Sequence, residues 1–497
     1  MHCILFSDNL EIKRRTMGAY KIANCFERMG WRATVIDWVG SWSDQELEEY
    51  LDAIVKDDTK IFGVSYTWLS PEYALSFISK LKARYPGIKV LLGGQQFVQH
   101  DLGADLYMYG YAEIALEEVV KFWFNNGPQP KGLRPIELGG AQLIDCNKDY
   151  KAMDLHDYRV TYRDDDYVQP MEQLTVELSR GCRFACKYCN YAFLGVKQDT
   201  STAKDLLYSE LMHNYESWGT TNYIIADDTF NDRDSKLEMM AEVVESLPFE
   251  PNFSCFIRLD LTVSNPHQLE LLSRARVWAH FYGLETLHHG AGKAVGKGMH
   301  PDKIKKGLLD MREHMMGKLG VYRGSVGMIA GLPHEPSESW RESEEWMRAN
   351  WDSEHWQWWP LEISTEENLA TVSEFTKDWA KNGYSEITDE NRIAYLDNFF
   401  LRTKGHIQHK FDHKSLYWQH SNADLKDAVD FVREIKSDYH GVKIANFHIL
   451  NYVGRSDVTI QDLLKKNKLW GWLQNDNHSE YHRIIRPYID AKLAGIR

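Results

Sequence analysis

The chain has 497 residues, of which 43% are hydrophobic and 26% charged, and its formal net charge is −14. This composition argues against a disordered or fibrous protein, the length calls for two or three domains, and the acidic surface does not favour nucleic acid as a partner. Because no apolar run approaches the ~20 residues of a membrane span and the N-terminus is not a secretory signal, we expect a cytoplasmic protein with no membrane partner.

The first 125 residues alternate short apolar runs with helical patterns, which predicts a doubly wound, Rossmann-like parallel sheet. Candidate strands are residues 3–7, 33–37, 61–66 and 89–92. Ligands of such sheets bind at the carboxyl ends of the strands. Those ends are predicted at Ser7 and Asp8, at residues 66–68, at Gly93 and Gly94, and at Gly110.

Residues 126–171 lack a regular pattern and are predicted to form a connecting segment. Six strand–helix repeats follow in residues 172–364, too few for a closed eight-fold barrel, so we expect a partial (β/α)6 barrel. Its candidate strands are residues 174–179, 222–226, 253–257, 278–284, 321–330 and 355–363. Residues 365–497 have mainly helical patterns, and the predicted fold class is α/β throughout.

Three of the seven cysteines, Cys182, Cys186 and Cys189, crowd into eight residues after the first predicted barrel strand. Three thiolates from one loop can hold three irons of a [4Fe–4S] cluster, and the fourth iron is then open to a small chelating molecule. A structural zinc site needs a fourth protein ligand, and none stands at finger-like spacing. A chance cluster of cysteines and a zinc knuckle are the alternatives.

The C-x-x-x-C-x-x-C spacing after a barrel strand resembles the radical S-adenosylmethionine (SAM) enzymes. The resemblance implies that SAM chelates the free iron. One electron, from a donor such as flavodoxin or ferredoxin, would then cleave SAM to a 5′-deoxyadenosyl radical that abstracts hydrogen from the substrate. The substrate, a small molecule or a peptide, does not follow from the sequence.

The same resemblance implies five SAM-binding residues. Tyr188 precedes the third cysteine and would pack near the adenine. Asp227 and Asp228, in IIADDTF, match the acidic position that accepts the SAM amino group, although two acids there could instead cap a helix. Arg258 could pair with the SAM carboxylate or form a structural salt bridge, and Glu285 would face the cofactor from the fourth strand.

The stretch GMIAGLPHEPSESW, residues 327–340, is similar to the fifth-strand segment of the same family. His334 stands where the family usually has glycine, and Pro336 stands where it usually has threonine. The geometry of that turn is therefore expected to differ from the usual one.

The segment GGQQF (residues 93–97) and residues 104–120 resemble the cobalamin-binding-like domain that precedes many radical SAM enzymes of one branch. The cobalt-ligating motif D-x-H-x-x-G is absent, and the region has only His2 and His100. Cobalamin is therefore possible but not favoured. With cobalamin the expected reaction is radical methylation, and without it hydrogen abstraction that leads to a rearrangement or an oxidation.

Two aromatic or basic clusters follow. In the sixth strand, Trp356 and Trp358 share one face and Gln357 and Trp359 the other, so one pair should point into the barrel lumen, where it could stack a flat substrate or simply cover the barrel. Further on, three histidines share one helical face, which fits a metal site or a solvated surface. They are His406, His409 and His413.

Three functions remain at this point. The favoured one is a radical SAM enzyme that abstracts hydrogen from an unknown substrate. The alternatives are a cobalamin-dependent radical SAM methyltransferase and a non-catalytic binding protein that carries a cluster or zinc. The enzyme is favoured because the SAM-binding motifs occur together with the three cysteines and in the order that the resemblance requires.

Overall fold

The computed structural model describes residues 1–8, 15–67, 69, 71–94, 101–136, 141–151, 153–155, 159–170, 172–189, 200–351, 354–365, 373–403, 415–438 and 481–497. Several predicted features lie outside these residues. They are Trp68, residues 95–97, His100, His406, His409 and His413. The chain divides into two compact units. Unit 1 is Met1–Arg180, Leu194–Thr221 and Asn475–Arg497, and unit 2 is Gly181–Phe193 and Asn222–Gln474.

Unit 1 is built on a seven-stranded sheet. Its strands are β1 (His2–Phe6), β2 (Arg32–Ile36), β3 (Thr59–Ser65), β4 (Lys89–Gly94), β5 (Leu106–Tyr109), β6 (Arg134–Pro135) and β7 (Gln142–Asp145). The order is β2-β1-β3-β4-β5-β7-β6, and every pair is parallel except β6–β7. The connecting helices are α1 (Met17–Arg28), α2 (Asp44–Ile54), α3 (Pro71–Arg84), α4 (Glu113–Phe124) and α5 (Cys146–Asp149). This is the doubly wound arrangement that the alternating pattern predicts.

The same unit continues through short elements on either side of the cysteine loop. They are β8 (Gln173–Val176), β9 (Ser179–Arg180), β10 (Thr200–Ser201) and α6 (Lys204–Trp218). Strands β9 and β10 pair antiparallel, with Arg180 opposite Thr200.

Unit 2 contains parallel strands that alternate with helices. The strands are β11 (Asn222–Ile225), β12 (Asn252–Ile257), β13 (Val277–Glu285), β14 (Arg323–Ala330) and β15 (His355–Pro360), adjacent in that order. The helices between them are α7 (Asp234–Ser246), α8 (Leu259–Ser264), α9 (Gln268–Arg274), α10 (His289–Ala294), α11 (Pro301–Leu319) and α12 (Ser337–Asn350). All six strands predicted for the barrel are present, counting β8.

The later part of the chain is mainly helical, as predicted. It contains α13 (Glu374–Lys377), β16 (Ser385–Glu386), α14 (Glu390–Thr403), β17 (Trp418–His420), β18 (Ala423–Asp424), α15 (Leu425–Asp438) and α16 (Arg486–Ala494). Strands β16 to β18 form a small antiparallel sheet that the sequence pattern does not predict. Helix α16 belongs to unit 1, although it lies at the other end of the chain.

Sequence and burial agree in the strands of both units. Strand β1 is buried at every residue, as expected for a parallel strand covered on both faces. Helix α11 begins with Pro301 after a capping His300 side chain and ends at Gly320 in the left-handed conformation, so local chemistry fixes both ends. No helix in the described part of the chain is long and apolar enough to cross a membrane.

Candidate active site

The cysteine loop begins directly after strand β9. Gly181 has a φ of +89°, which lets the chain turn sharply before Cys182. The Cys189 amide donates to the Cys186 carbonyl at 3.0 Å, so a tight turn holds these two cysteines near each other. The Lys187 amide donates to the Val295 carbonyl at 3.3 Å and anchors the loop to the segment after helix α10.

The seven cysteines fall into two chemical groups. Cys182, Cys186 and Cys189 are half-exposed, and none of the seven is in a disulfide. The remaining four are buried, and burial raises the pKa of each thiol, so they stay protonated. They are Cys3, Cys25, Cys146 and Cys255. Only the loop cysteines are thus suited to act as thiolate ligands.

This donor set fits a [4Fe–4S] cluster. Among the described residues, no three His, Cys, Asp or Glu side chains are already gathered at metal-binding distance, the loop cysteines included. The fit therefore rests on the chemistry of the donors: three accessible thiols on one short loop, which is the set that three irons of such a cluster require.

Glu285 lies between a phenol and an ammonium group. The Tyr188 hydroxyl donates to Glu285 Oε1 at 2.7 Å, and Lys297 Nζ lies 3.0 Å from the same oxygen. Lys297 also donates to the Gly283 carbonyl. Burial and the Glu285 carboxylate raise the pKa of Tyr188, so the phenol stays protonated and keeps its donor role. The structure thus brings together Tyr188 and Glu285, which are 97 residues apart in sequence.

The neighbouring aspartates have different surroundings. Asp227 is buried, and its carboxylate lies 3.0 Å from Lys236 Nζ. The same ammonium reaches Asp232 at 2.8 Å and the Thr229 carbonyl at 3.1 Å. Asp228 is half-buried. The carboxylate of Asp227 is therefore committed to a buried ion pair, and Asp228 is the better candidate to receive a ligand.

Arg258 connects its strand to the cysteine loop. Its Nε and Nη2 donate to Asp260 at 3.0 and 2.6 Å, its guanidinium lies 3.9 Å from the centre of the Phe184 ring, and its Nη1 donates to Cys186 Sγ at 3.5 Å. Burial opposes ionisation of Asp260, but the Arg258 guanidinium outweighs it and lowers the pKa of that carboxyl. The structural salt bridge named as an alternative for Arg258 is present, and its third contact is with a cysteine sulfur.

Two further residues of this site were not singled out from the sequence. Lys297 holds Glu285, and the buried Asn231 side chain accepts from the Arg258 amide and donates to the Arg258 carbonyl, each at 2.9 Å. The sequence gives one signal for each residue. Lys297 precedes a glycine, and Asn231 directly follows the acidic motif IIADDTF. Neither signal identifies the partner, because Glu285 and Arg258 lie 12 and 27 residues away in sequence.

Strand β15 places its two pairs of side chains on opposite faces. The indoles of Trp356 and Trp358 donate to Glu344 on helix α12 at 2.7 and 2.9 Å, so this pair faces the helices. Gln357 and Trp359 therefore occupy the inner face. This decides which pair points inward, a question that the alternating pattern leaves open.

A comparison with known protein families matches the part of the chain that contains this site. The family profile described as "Radical SAM superfamily" matches residues 176–347, the stretch that contains the cysteine loop, both aspartates, Arg258 and Glu285. Residues 176–347 of the chain therefore form a radical SAM domain. This domain makes the chain a radical SAM enzyme, and the superfamily implies a [4Fe–4S] cluster and SAM. The roles of the individual SAM-binding residues stay predictions.

Solved structures of radical SAM enzymes share the fold over nearly the whole chain. TsrM from Kitasatospora setae, a radical SAM methyltransferase solved with tryptophan substrate and the SAM analogue aza-SAM, has a TM-score of 0.67 at 12% identity, over 96% of this chain and 99% of that one. OxsB, a cobalamin-dependent SAM radical enzyme solved with aqua-cobalamin and SAM, has a TM-score of 0.55 at 13% identity, over 97% and 72%. A search of curated proteins gave no match. The chain thus shares the fold of these two enzymes over nearly its whole length.

Proposed function

We propose that this radical SAM enzyme binds cobalamin and transfers a methyl group to its substrate. The supporting observation is the extent of the likeness to TsrM, which covers 99% of that chain and so includes its N-terminal region. Another TsrM structure contains cobalamin and a [4Fe–4S] cluster, and OxsB is cobalamin-dependent. These neighbours shift the preference from hydrogen abstraction, which the sequence favours, to methylation.

The proposed cobalamin site is the carboxyl edge of the unit 1 sheet, where ligands of doubly wound sheets bind. Gly94 has a φ of +149°, and a Cβ there would lie 2.8 Å from Thr67 Oγ1 and 3.1 Å from the Thr67 amide nitrogen. The Tyr66 amide donates to the Gly93 carbonyl at 2.7 Å. Strands β3 and β4 therefore end in closely packed backbone, and such an edge lets a ligand approach the main chain.

Cobalamin would bind here without the usual histidine. His2 lies at the amino end of β1, where its ring nitrogens bond the hydroxyls of Thr59 and Thr34 at 3.1 and 3.0 Å. Burial lowers the pKa of His2 to about 4. The described carboxyl ends of β1, β3, β4 and β5 carry no imidazole. This is also the observation that favours the second candidate function, hydrogen abstraction without cobalamin.

The remaining roles are assigned to the protein's own residues. Cys182, Cys186 and Cys189 would hold the cluster, which when bound supplies the electron that cleaves SAM. Asp228 and Glu285 would accept hydrogen bonds from the SAM amino group, Tyr188 would lie against its adenine, and Arg258 would face its carboxylate. Flavodoxin or ferredoxin is the proposed electron donor, and the need for free thiolates makes the cytoplasm the proposed location.

The test is to express the full chain with ample cobalamin, purify it without oxygen and incubate it with SAM and a reductant. We expect about four irons per chain, a corrin spectrum that survives gel filtration, and S-adenosylhomocysteine as the product that marks methyl transfer. A variant with all three loop cysteines replaced by Ala should keep the corrin and lose the iron.

The other results each point to one alternative. Iron and 5′-deoxyadenosine without a corrin signal would overturn methylation in favour of hydrogen abstraction. Stoichiometric zinc without SAM cleavage would favour the binding protein.

A further inference from the structure

We propose that the inner face of strands β13 to β15 binds a planar aromatic substrate, which stacks on Trp359 and presents an adjacent N–H and C=O, as in a lactam, to the Gln357 side chain. The proposal deepens the proposed function by naming a substrate class. It rests on that function only in taking the bound molecule to be the substrate.

The first observation is the Gln357 carboxamide. Both its nitrogen and its oxygen are shielded from solvent and have no hydrogen-bond partner among the residues that the structure describes. A buried polar atom without a partner costs about 1–3 kcal/mol, so the protein alone gives no reason to keep this residue here. A carboxamide can donate and accept along one edge, and a ligand edge with one acceptor beside one donor satisfies both atoms at once.

The second observation is an aromatic wall beside that amide. Gly327 is the register partner of Gln357, and a Cβ on Gly327 would lie 3.0 Å from Trp359 Cζ3 and 3.1 Å from Phe281 Cζ. The absence of a side chain at Gly327 therefore makes room for the two rings. Phe256 meets Phe281 edge to face, with ring centres 5.3 Å apart. Aromatic rings arranged in this way favour another flat ring against them.

The third observation is the alignment of this subsite with the cofactor residues. Gly283 pairs with Gly327, which pairs with Gln357, so the three residues form one row across neighbouring strands. Glu285 Oε1 occupies the space over Gly283, where a Cβ would lie 2.5 Å from it. Strands are ~4.8 Å apart, so the row from Gly283 to Gln357 is about 10 Å long. A two-ring molecule held by Gln357 would thus extend towards Glu285, which is predicted to accept a hydrogen bond from the SAM amino group.

The experiment uses three probes that separate the two contacts. 2-Quinolone has both the flat face and the lactam edge. N-methyl-2-quinolone keeps the face but blocks the edge, and δ-valerolactam keeps the edge without the aromatic face. Dissociation constants are measured by calorimetry on the cluster-loaded full chain in the presence of SAM. We expect 2-quinolone to bind at least about tenfold more tightly than either of the others.

Variants assign the contacts to residues. Gln357→Leu should weaken 2-quinolone about tenfold and leave N-methyl-2-quinolone unchanged, whereas Trp359→Leu should weaken both quinolones. Trp356→Phe, on the outer face of the same strand, is the matched control and should change neither. Because Leu removes two unpaired buried atoms, Gln357→Leu should keep or raise the unfolding temperature.

Defined results would overturn the proposal. Equal affinities for the two quinolones, an equal loss of both in Gln357→Leu, or a lower unfolding temperature of that variant would each show that Gln357 is structural. A protein that cleaves SAM but binds no 2-quinolone would sink the subsite while leaving the proposed function intact. Failure to load a cluster or to cleave SAM is a separate result and would count against the proposed function.

Discussion

A single buried lysine distinguishes two aspartates that are adjacent in sequence. Lys236 lies within 3.0 Å of both Asp227 and Asp232, and although burial opposes its charge, the two carboxylates outweigh this and raise its pKa. An ion pair of this kind is costly to break, because removing one partner leaves the other charge buried. Asp227 therefore acts on the stability of the β11–α7 turn, and we predict that Asp228 is the aspartate that binds SAM.

The two aspartates give a matched pair of variants. Asp227→Asn should lower the free energy of unfolding by about 2 kcal/mol, less than for an isolated buried pair because Asp232 remains. Asp228→Asn, at the half-buried position, should lower the unfolding temperature less than Asp227→Asn does and weaken SAM binding about tenfold, the effect of one charge-assisted hydrogen bond. Thermal unfolding and calorimetry on cluster-loaded protein measure the two effects. The opposite pattern, weak SAM binding only in Asp227→Asn, would reverse the assignment.

For Arg258, the sequence predicts a candidate role but not the contacts of the side chain. Its residue type and its place at the end of a strand make it a candidate site residue. The contacts of its guanidinium depend on Phe184, Asp260 and Cys186, and two of these lie more than 70 residues away. No local pattern specifies such contacts, so a salt bridge and a ligand contact remain equal alternatives until the structure is known.

Among the elements, the turn after strand β14 contains the departure from the family segment. His334 has a φ of +64°, a region that glycine adopts without strain and other residues rarely do. This accounts for the glycine that the family usually has there. Strand β14 itself is where the pattern predicts it, because burial of a parallel strand depends on its own apolar sequence.

Short elements escape prediction for a related reason. Strands β6, β16 and β18 have two residues each, and such lengths carry no periodicity. Strands β6 and β7 add to the first sheet from within the segment predicted as a connection. Their pairing is fixed by a partner strand rather than by their own sequence.

Replacing a glycine in the turn after strand β14 tests how tightly this turn is packed. Gly331 has a φ of +107°, and a Cβ there would collide with the ring of the buried Trp418. Gly331→Ala should therefore cost about 3 kcal/mol of stability through strain and overpacking. Gly317→Ala is the control, because Gly317 is exposed in helix α11 with nothing within 4 Å of a Cβ, and it should gain about 0.5–1 kcal/mol. Denaturant unfolding of both variants measures the difference, and equal stabilities would contradict it.

At the scale of the whole chain, the last helix completes the first unit. Tyr488 of α16 accepts a hydrogen bond from the Asp37 amide at 2.9 Å and donates to the Val35 carbonyl at 3.2 Å. Its ring packs edge to face against Trp38 and Trp42. The sequence predicts helices in residues 365–497, but the assignment of α16 to the N-terminal sheet depends on contacts about 450 residues apart, which no local pattern encodes.

A substitution at Tyr488 therefore tests whether helix α16 stabilises the N-terminal sheet. Tyr488→Phe keeps the ring between the tryptophans but leaves the buried Asp37 amide without its acceptor, so it should lower the stability of unit 1 by about 1–3 kcal/mol. Tyr208→Phe is the control, since Tyr208 is exposed on helix α6 of the same unit, and it should change nothing. Iron content should be the same in both variants, because Cys182, Cys186 and Cys189 belong to unit 2. Calorimetric unfolding separates the effects, and wild-type unfolding of Tyr488→Phe would mean that α16 does not support the sheet in solution.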